Sequence, residues 1–259
     1  MPSERPSRLR FAGKGLSLIS VILVAAGLVV ALVSGSWSGL ASPTATKTVA
    51  VQSISPAKSG TALAELATLA VKGRAPKTGY DRALFGPAWA DVDRNGCDTR
   101  NDVLRRDLTA YVLKAGTHGC VVLSGTLSDP YTATTIGFVR GQTTSALVQI
   151  DHVVALSDAW QKGAQQLSAE TRSALANDSL NLLAVDGLTN QRKSDGDAAT
   201  WLPPNKPYRC LYAARQVAVK AKYGLWVTRA ERDAFGRVLA ACPLQPLPDA
   251  AAFVLGGGS

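Results

Sequence analysis

Only two of the 259 residues are histidine. A zinc hydrolase of the common helical type needs H-E-x-x-H, and no such run occurs, so that chemistry lacks its ligands. No G-x-S-x-G elbow is present, which removes the sequence support for a serine hydrolase of that fold. The four cysteines include no C-x2-C pair, which argues against a four-cysteine zinc site. No short repeat recurs, so solenoids and fibres are excluded. Aromatic residues are scarce, at 6%, so Trp160 and Trp201 read as core side chains before they read as platforms for stacking bases. Charged residues make up only 18% against 46% apolar, which excludes a wholly disordered chain.

What is present is unevenly spread. Arg5, Arg8, Arg10 and Lys14 precede an uncharged apolar run from Leu16 to Val33, 18 residues long. A basic flank before such a run marks an export signal, and Gly39-Leu40-Ala41 offers small residues for cleavage. The run is also long enough to cross a bilayer as a helix. Residues 1–41 therefore read as a signal peptide or an N-terminal membrane anchor, and both place the remainder outside the cytoplasm. Residues 42–60 have a Ser/Thr/Ala/Pro linker composition. A domain is expected over 61–243 and a loose tail over 244–259.

The formal charge of +9 is concentrated as well. Residues 190–237 hold ten basic and four acidic side chains. A local basic excess suits a polyanion such as nucleic acid, or else a solvated helix face. Four cysteines in an exported chain point to two disulfides. Of three possible connectivities, Cys97–Cys120 and Cys210–Cys242 close the local loops, 23 and 32 residues apart.

Periodicity predicts helices over 61–71, 98–108, 157–163, 168–176, 208–223 and 228–241, with a short one at 80–85. Gly224 is placed to stop the helix before it, and Thr228 with Glu231 forms a capping box for the next. Strands are expected at 121–123 and 136–139, forming an N-terminal hairpin, and at 146–150 and 181–185. A further helix is expected to open near Thr189 and run toward Thr200.

His118 stands beside Gly119-Cys120 with no carboxylate near it and reads as a surface group. His152 ends an apolar strand as Gln149-Ile150-Asp151-His152-Val153-Val154. Asn177-Asp178-Ser179-Leu180-Asn181 precedes a second strand, Asp186-Gly187 turns the chain, and Asn190-Gln191-Arg192-Lys193 opens a helix. Strand, insert, strand, tight turn and helix bring Asp151, His152 and Asn190 together, and hard oxygen donors suit Mg²⁺-like ions.

In these segments the chain resembles the HNH endonuclease family with its ββα-metal motif. More closely, it resembles the secreted actinobacterial branch with the domain-of-unknown-function 1524 type of module. Gly96-Cys97-Asp98-Thr99-Arg100-Asn101-Asp102, Ala199-Thr200-Trp201-Leu202-Pro203-Pro204 and Lys220-Ala221-Lys222-Tyr223-Gly224-Leu225 carry the likeness beyond the motif, so that it covers about residues 80–241. The resemblance implies an α+β, mostly helical small domain around a ββα-metal core at about 148–200. It implies an exported, metal-dependent endonuclease acting as a monomer on nucleic acid, DNA before RNA, with Mg²⁺ or Mn²⁺. His152 would be the general base and Asp151 and Asn190 the metal ligands. Asn181 would brace the loop carrying the base, and Lys193 with Arg192 would hold the phosphate. Asp178, Asp195 and Asp197 read as caps or surface charges before they read as a third ligand. The competing function is an exported nucleic-acid-binding module that keeps this scaffold without catalysis.

Overall fold

The computed structural model describes residues 59–248. The 1–41 segment, most of the linker and the end of the tail lie outside the described residues. Among the described residues no helix is long and apolar enough to cross a membrane. These residues form a mixed α/β body with seven α-helices, two small antiparallel sheets and two disulfides.

Helix α1 (Ala62–Thr68) starts at Thr61, whose hydroxyl accepts the Ala64 N–H, and α2 (Thr99–Asp107) starts at Asp98, whose carboxylate accepts the Asn101 N–H. Both are oxygen caps on otherwise orphaned donors. The expected N-terminal hairpin needs correction, because it is a three-stranded sheet in the order β1-β2-β3. Strand β1 (Leu108–Leu113) follows α2 without a loop and pairs with β2 (Val122–Ser128), which pairs with β3 (Thr135–Val139). Only Leu108 of β1 is fully buried. A strand with so little inward face lacks the alternation that marks strands in sequence.

The second sheet carries the motif. Strands β4 (Val148–His152) and β5 (Leu182–Asp186) are antiparallel, with Asp151 opposite Leu183 and His152 opposite Leu182. Helices α3 (Leu156–Trp160) and α4 (Ala169–Asn177) fill the connection. Helix α5 (Gly187–Lys193) follows β5 directly, capped by Asp186 on Thr189 N at 2.7 Å. A Cβ at Gly187 would lie 2.0 Å from the Ala146 carbonyl oxygen, so only glycine lets α5 start this close to the turn that leads into β4. The helix expected to run toward Thr200 stops at Lys193. Ser194 takes φ +50, and Asp195-Gly196 turns the chain away.

Helices α6 (Arg209–Lys222) and α7 (Arg229–Ala240) match the expected spans closely. Gly224 has φ +62 after α6, and the Thr228–Glu231 capping box forms at the start of α7. One core cluster joins α1, α6 and α7 through Leu66, Ala214, Val217 and Phe235. Another joins α2 and both sheets through Val103, Leu127, Phe138, Ile150 and Leu182. Trp160 sits in a third with Phe85, Leu175 and Val219. The disulfides are Cys97–Cys120 and Cys210–Cys242. The packed chain continues past Pro243, since Ala62 N donates to Gln245 O and Leu247 N donates to Gly60 O, each at 3.0 Å.

Candidate active site

His152 ends β4 and is buried. Its Nε2 lies 2.8 Å from the Ala176 carbonyl oxygen at the end of α4. A carbonyl can only accept, so Nε2 carries the proton and Nδ1 is left as the acceptor. The Trp89 ring stacks against the imidazole, with centroids 6.4 Å apart and planes 17° from parallel. Burial, and after it the nearby Arg82 charge, push the pKa of His152 down to about 3, so the ring is neutral.

Asp151, one residue earlier on the strand, is buried as well. Its Oδ2 accepts the Tyr131 hydroxyl and its Oδ1 accepts Lys193 Nζ at 2.9 Å. Burial raises the pKa of the carboxyl even though Lys193 and Tyr131 work against that rise. Lys193 Nζ also donates to the His152 carbonyl at 2.8 Å, and its side chain has no exposure. In this geometry the Lys193 ammonium is engaged by Asp151 and the strand, and Lys193 does not present a free charge to a phosphate.

Asn181 lies at the start of β5 and is fully buried. Its Oδ1 accepts Val154 N at 2.8 Å, and its Nδ2 donates to the carbonyls of Val154 and Leu175 at 3.3 and 3.2 Å. The side chain thus ties the segment just after His152 to α4. Asn190, on α5, donates from Nδ2 to Gln149 Oε1 at 3.0 Å. Asp151, His152 and Asn190 line one cleft of about 380 Å³ together with Tyr80, Arg82 and Asp195. Arg192 is exposed and borders a neighbouring cavity of about 590 Å³ with Arg74, Lys77, Asp195 and Trp201.

Each Asp151 oxygen takes one hydrogen bond and keeps a lone pair, and the Asn190 amide oxygen keeps its acceptor capacity. Two hard oxygen donors on one cleft fit a Mg²⁺-like ion that retains most of its water. Among the described residues no group of three or more His, Cys, Asp or Glu side chains is placed to hold a metal, so a closed protein cage is not what the site fits. Asp178 pairs with Lys222 at 2.7 Å and accepts the Tyr223 hydroxyl at 2.8 Å. Asp195 pairs with Lys77 and accepts from Ser157, each at 3.1 Å. Asp197 is buried against Lys162 and Arg74.

The charge count of residues 190–237 overstated the basic surface. Lys193, Arg215 and Lys220 are all buried. Arg215 donates to the carbonyls of Ser179, Leu180 and Leu182, and Lys220 pairs with Glu231 at 3.0 Å. Arg209 is turned to the Pro203 carbonyl at 2.7 Å. His118 is exposed in its loop, as expected of a surface group. Arg82, Trp89 and Tyr131 were not foreseen. Each lies at least 20 positions from Asp151-His152 in the chain, and no local pattern links it to that pair.

The sequence matches the family described as GmrSD restriction endonucleases, C-terminal domain, over residues 98–238. It is also 38% identical over 184 residues to a protein of Arthroderma benhamiae described as "Uncharacterized secreted protein", covering 70% of this chain and 85% of that one. The chain belongs to the GmrSD restriction endonuclease C-terminal domain family, and so carries a nuclease-type domain. The matched span takes in Asp151, His152, Asn181, Asn190, Arg192 and Lys193. No solved structure matches the chain.

Proposed function

We propose that this protein is an exported HNH-type endonuclease, a monomer that hydrolyses phosphodiester bonds in nucleic acid, DNA before RNA, with His152 as the general base. The observation that carries the reading is the bond from His152 Nε2 to the Ala176 carbonyl. It selects the tautomer with Nδ1 as proton acceptor, in a cleft shared with Asp151 and Asn190. A phosphodiester in that cleft puts negative charge beside Arg82. This relieves part of the depression of the His152 pKa and makes the ring a better base. Nδ1 takes the proton from the attacking water, while Asn181 keeps the base-bearing segment fixed. Arg82 and Arg192 hold phosphate oxygens, and Lys193 orients Asp151 and works against the rise of its pKa. When bound by Asp151 and Asn190, a divalent ion, Mg²⁺ or Mn²⁺, supplies charge stabilisation for the phosphate and the leaving oxygen. Export is supported by the basic and apolar N-terminal segment and by the relative described as secreted.

Plasmid nicking by the purified protein tests this. Cleavage is expected with Mg²⁺ or Mn²⁺, and its loss with EDTA or in His152→Ala of unchanged circular dichroism. Cleavage that survives both would overturn it. One observation favours the non-catalytic binding module, namely that the Lys193 ammonium already compensates Asp151. That reading expects salt-sensitive binding of DNA with no cleavage under any metal.

A further inference from the structure

The chain between Trp89 and α2 takes no part in the chemistry above. It reads Asp91-Val92-Asp93-Arg94-Asn95-Gly96-Cys97-Asp98-Thr99-Arg100-Asn101-Asp102. Oxygen-bearing side chains stand at the first, third, fifth and twelfth places, and glycine at the sixth. This is the spacing by which a twelve-residue loop leading into a helix wraps Ca²⁺. Gly96 has φ +85, which supplies the sharp turn. Asp91 accepts Asn95 N at 3.1 Å and Gly96 N at 2.9 Å, Asp93 accepts Asn95 N at 3.2 Å, and Asn95 Oδ1 accepts Cys97 N at 2.8 Å.

Turns of this kind form without any ion. The independent sign is Asp102. Its residue is only 3% exposed, and its Oδ1 has no hydrogen-bond partner. The carboxyl lines one cavity with Asp93 and lies near both the Asp93 carboxylate and the Arg105 charge, while the Asn95 amide donates to Asp93 at 3.0 Å. A buried carboxylate oxygen without a donor is costly, and a cation held by the loop would be its partner.

We propose that residues 91–102 bind one Ca²⁺ through side-chain oxygens of Asp91, Asp93, Asn95 and Asp102 and the carbonyl of Cys97. As the loop stands, its three carboxylates are not gathered into a metal-holding group; Asp91 and Asp93 are exposed and would close inward as the ion binds. Aspartate at the twelfth place reaches less far than the usual bidentate glutamate. The affinity therefore falls at the weak, extracellular end of such loops, with Kd about 10⁻⁴–10⁻³ M. Trp89 is tied to the loop, because its carbonyl accepts Thr99 N at 3.3 Å, and its ring stacks on His152. The ion would thus steady the wall against which the imidazole packs. The site stands apart from the nuclease reading and holds whether or not His152 is a base.

Calorimetry and thermal unfolding of the full chain with CaCl₂, and with MgCl₂ beside it, test the site. One Ca²⁺ per chain is expected, with Tm raised by about 5 °C or more at a hundredfold excess over Kd. Asp91→Asn and Asp93→Asn, both at exposed positions, should each abolish the shift, and Asp151→Asn should keep it. No saturable Ca²⁺ binding up to about 10 mM overturns the proposal, given the expected Kd range. An equal response to Mg²⁺, or a shift lost in Asp151→Asn and kept in Asp91→Asn, overturns it too.

Discussion

Replacing Lys193 by methionine separates two roles for that lysine. The side chain is fully buried, with Nζ 2.9 Å from Asp151 Oδ1 and 2.8 Å from the His152 carbonyl. At an effective dielectric near 20, a charge pair at that separation attracts by about 6 kcal/mol before desolvation is subtracted. Methionine fills similar volume but leaves Asp151 buried, with only the Tyr131 hydroxyl bonded to it. Breaking one side of a buried pair costs about 3–5 kcal/mol. For a body of about 190 described residues, that loss lowers Tm by about 6–20 °C. Lys193→Met with Asp151→Asn should recover much of the loss, because no unpaired charge is then buried. Circular dichroism melts of the two variants and the parent give the comparison, and Mg²⁺ should restore part of the single variant's Tm if Asp151 holds the ion. If Lys193 serves only to contact a phosphate, Lys193→Met melts within a degree or two of the parent and only KM rises. That result would refute the pairing argument.

Three more outcomes are expected. Asn181→Ala orphans the Val154 N–H and the carbonyls of Val154 and Leu175, so it should lose about 2–4 kcal/mol in urea melts and slow cleavage at least tenfold. Burial works to raise the pKa of Asp197, but the Lys162 and Arg74 contacts outweigh it and hold the carboxyl below its usual range. Its contribution is therefore complete above the unfolded carboxylate pKa of about 4 and is lost as pH falls through the lower folded value, which a pH series of melts will show as an acid shoulder. Reduction of Cys210–Cys242, a loop spanning 32 positions, should remove about 3–4 kcal/mol, read as a lower Tm in dithiothreitol.

The parts legible in sequence are those whose cause is local. Thr228 and Glu231 announce a helix start by capping chemistry, and Gly224 announces a stop. The β4–β5–α5 succession follows from apolar strands and the Asp186-Gly187 turn. Strand β1 was hidden because a strand with one fully buried residue has no alternation to detect. The direction of a basic side chain was hidden for a different reason. Lys193 and Lys220 are buried only because Asp151, Asp158 and Glu231 arrive from distant segments, and composition carries no record of that meeting. Arg82, Trp89 and Tyr131 reached the site the same way.

The backbone bonds between Gly60 and Leu247 and between Ala62 and Gln245 have an architectural consequence. The first and last described residues thus lie side by side. The folded body can be spliced into an exposed loop of a host protein as a closed cassette, since entry and exit need only a strand-pair spacing between them. The same closeness lets a short peptide join residue 248 to residue 59 while the chain is reopened at the exposed Gly141-Gln142 bend. Such a permutant keeps β4, β5 and α5 in one uninterrupted stretch and is expected to fold to the same site.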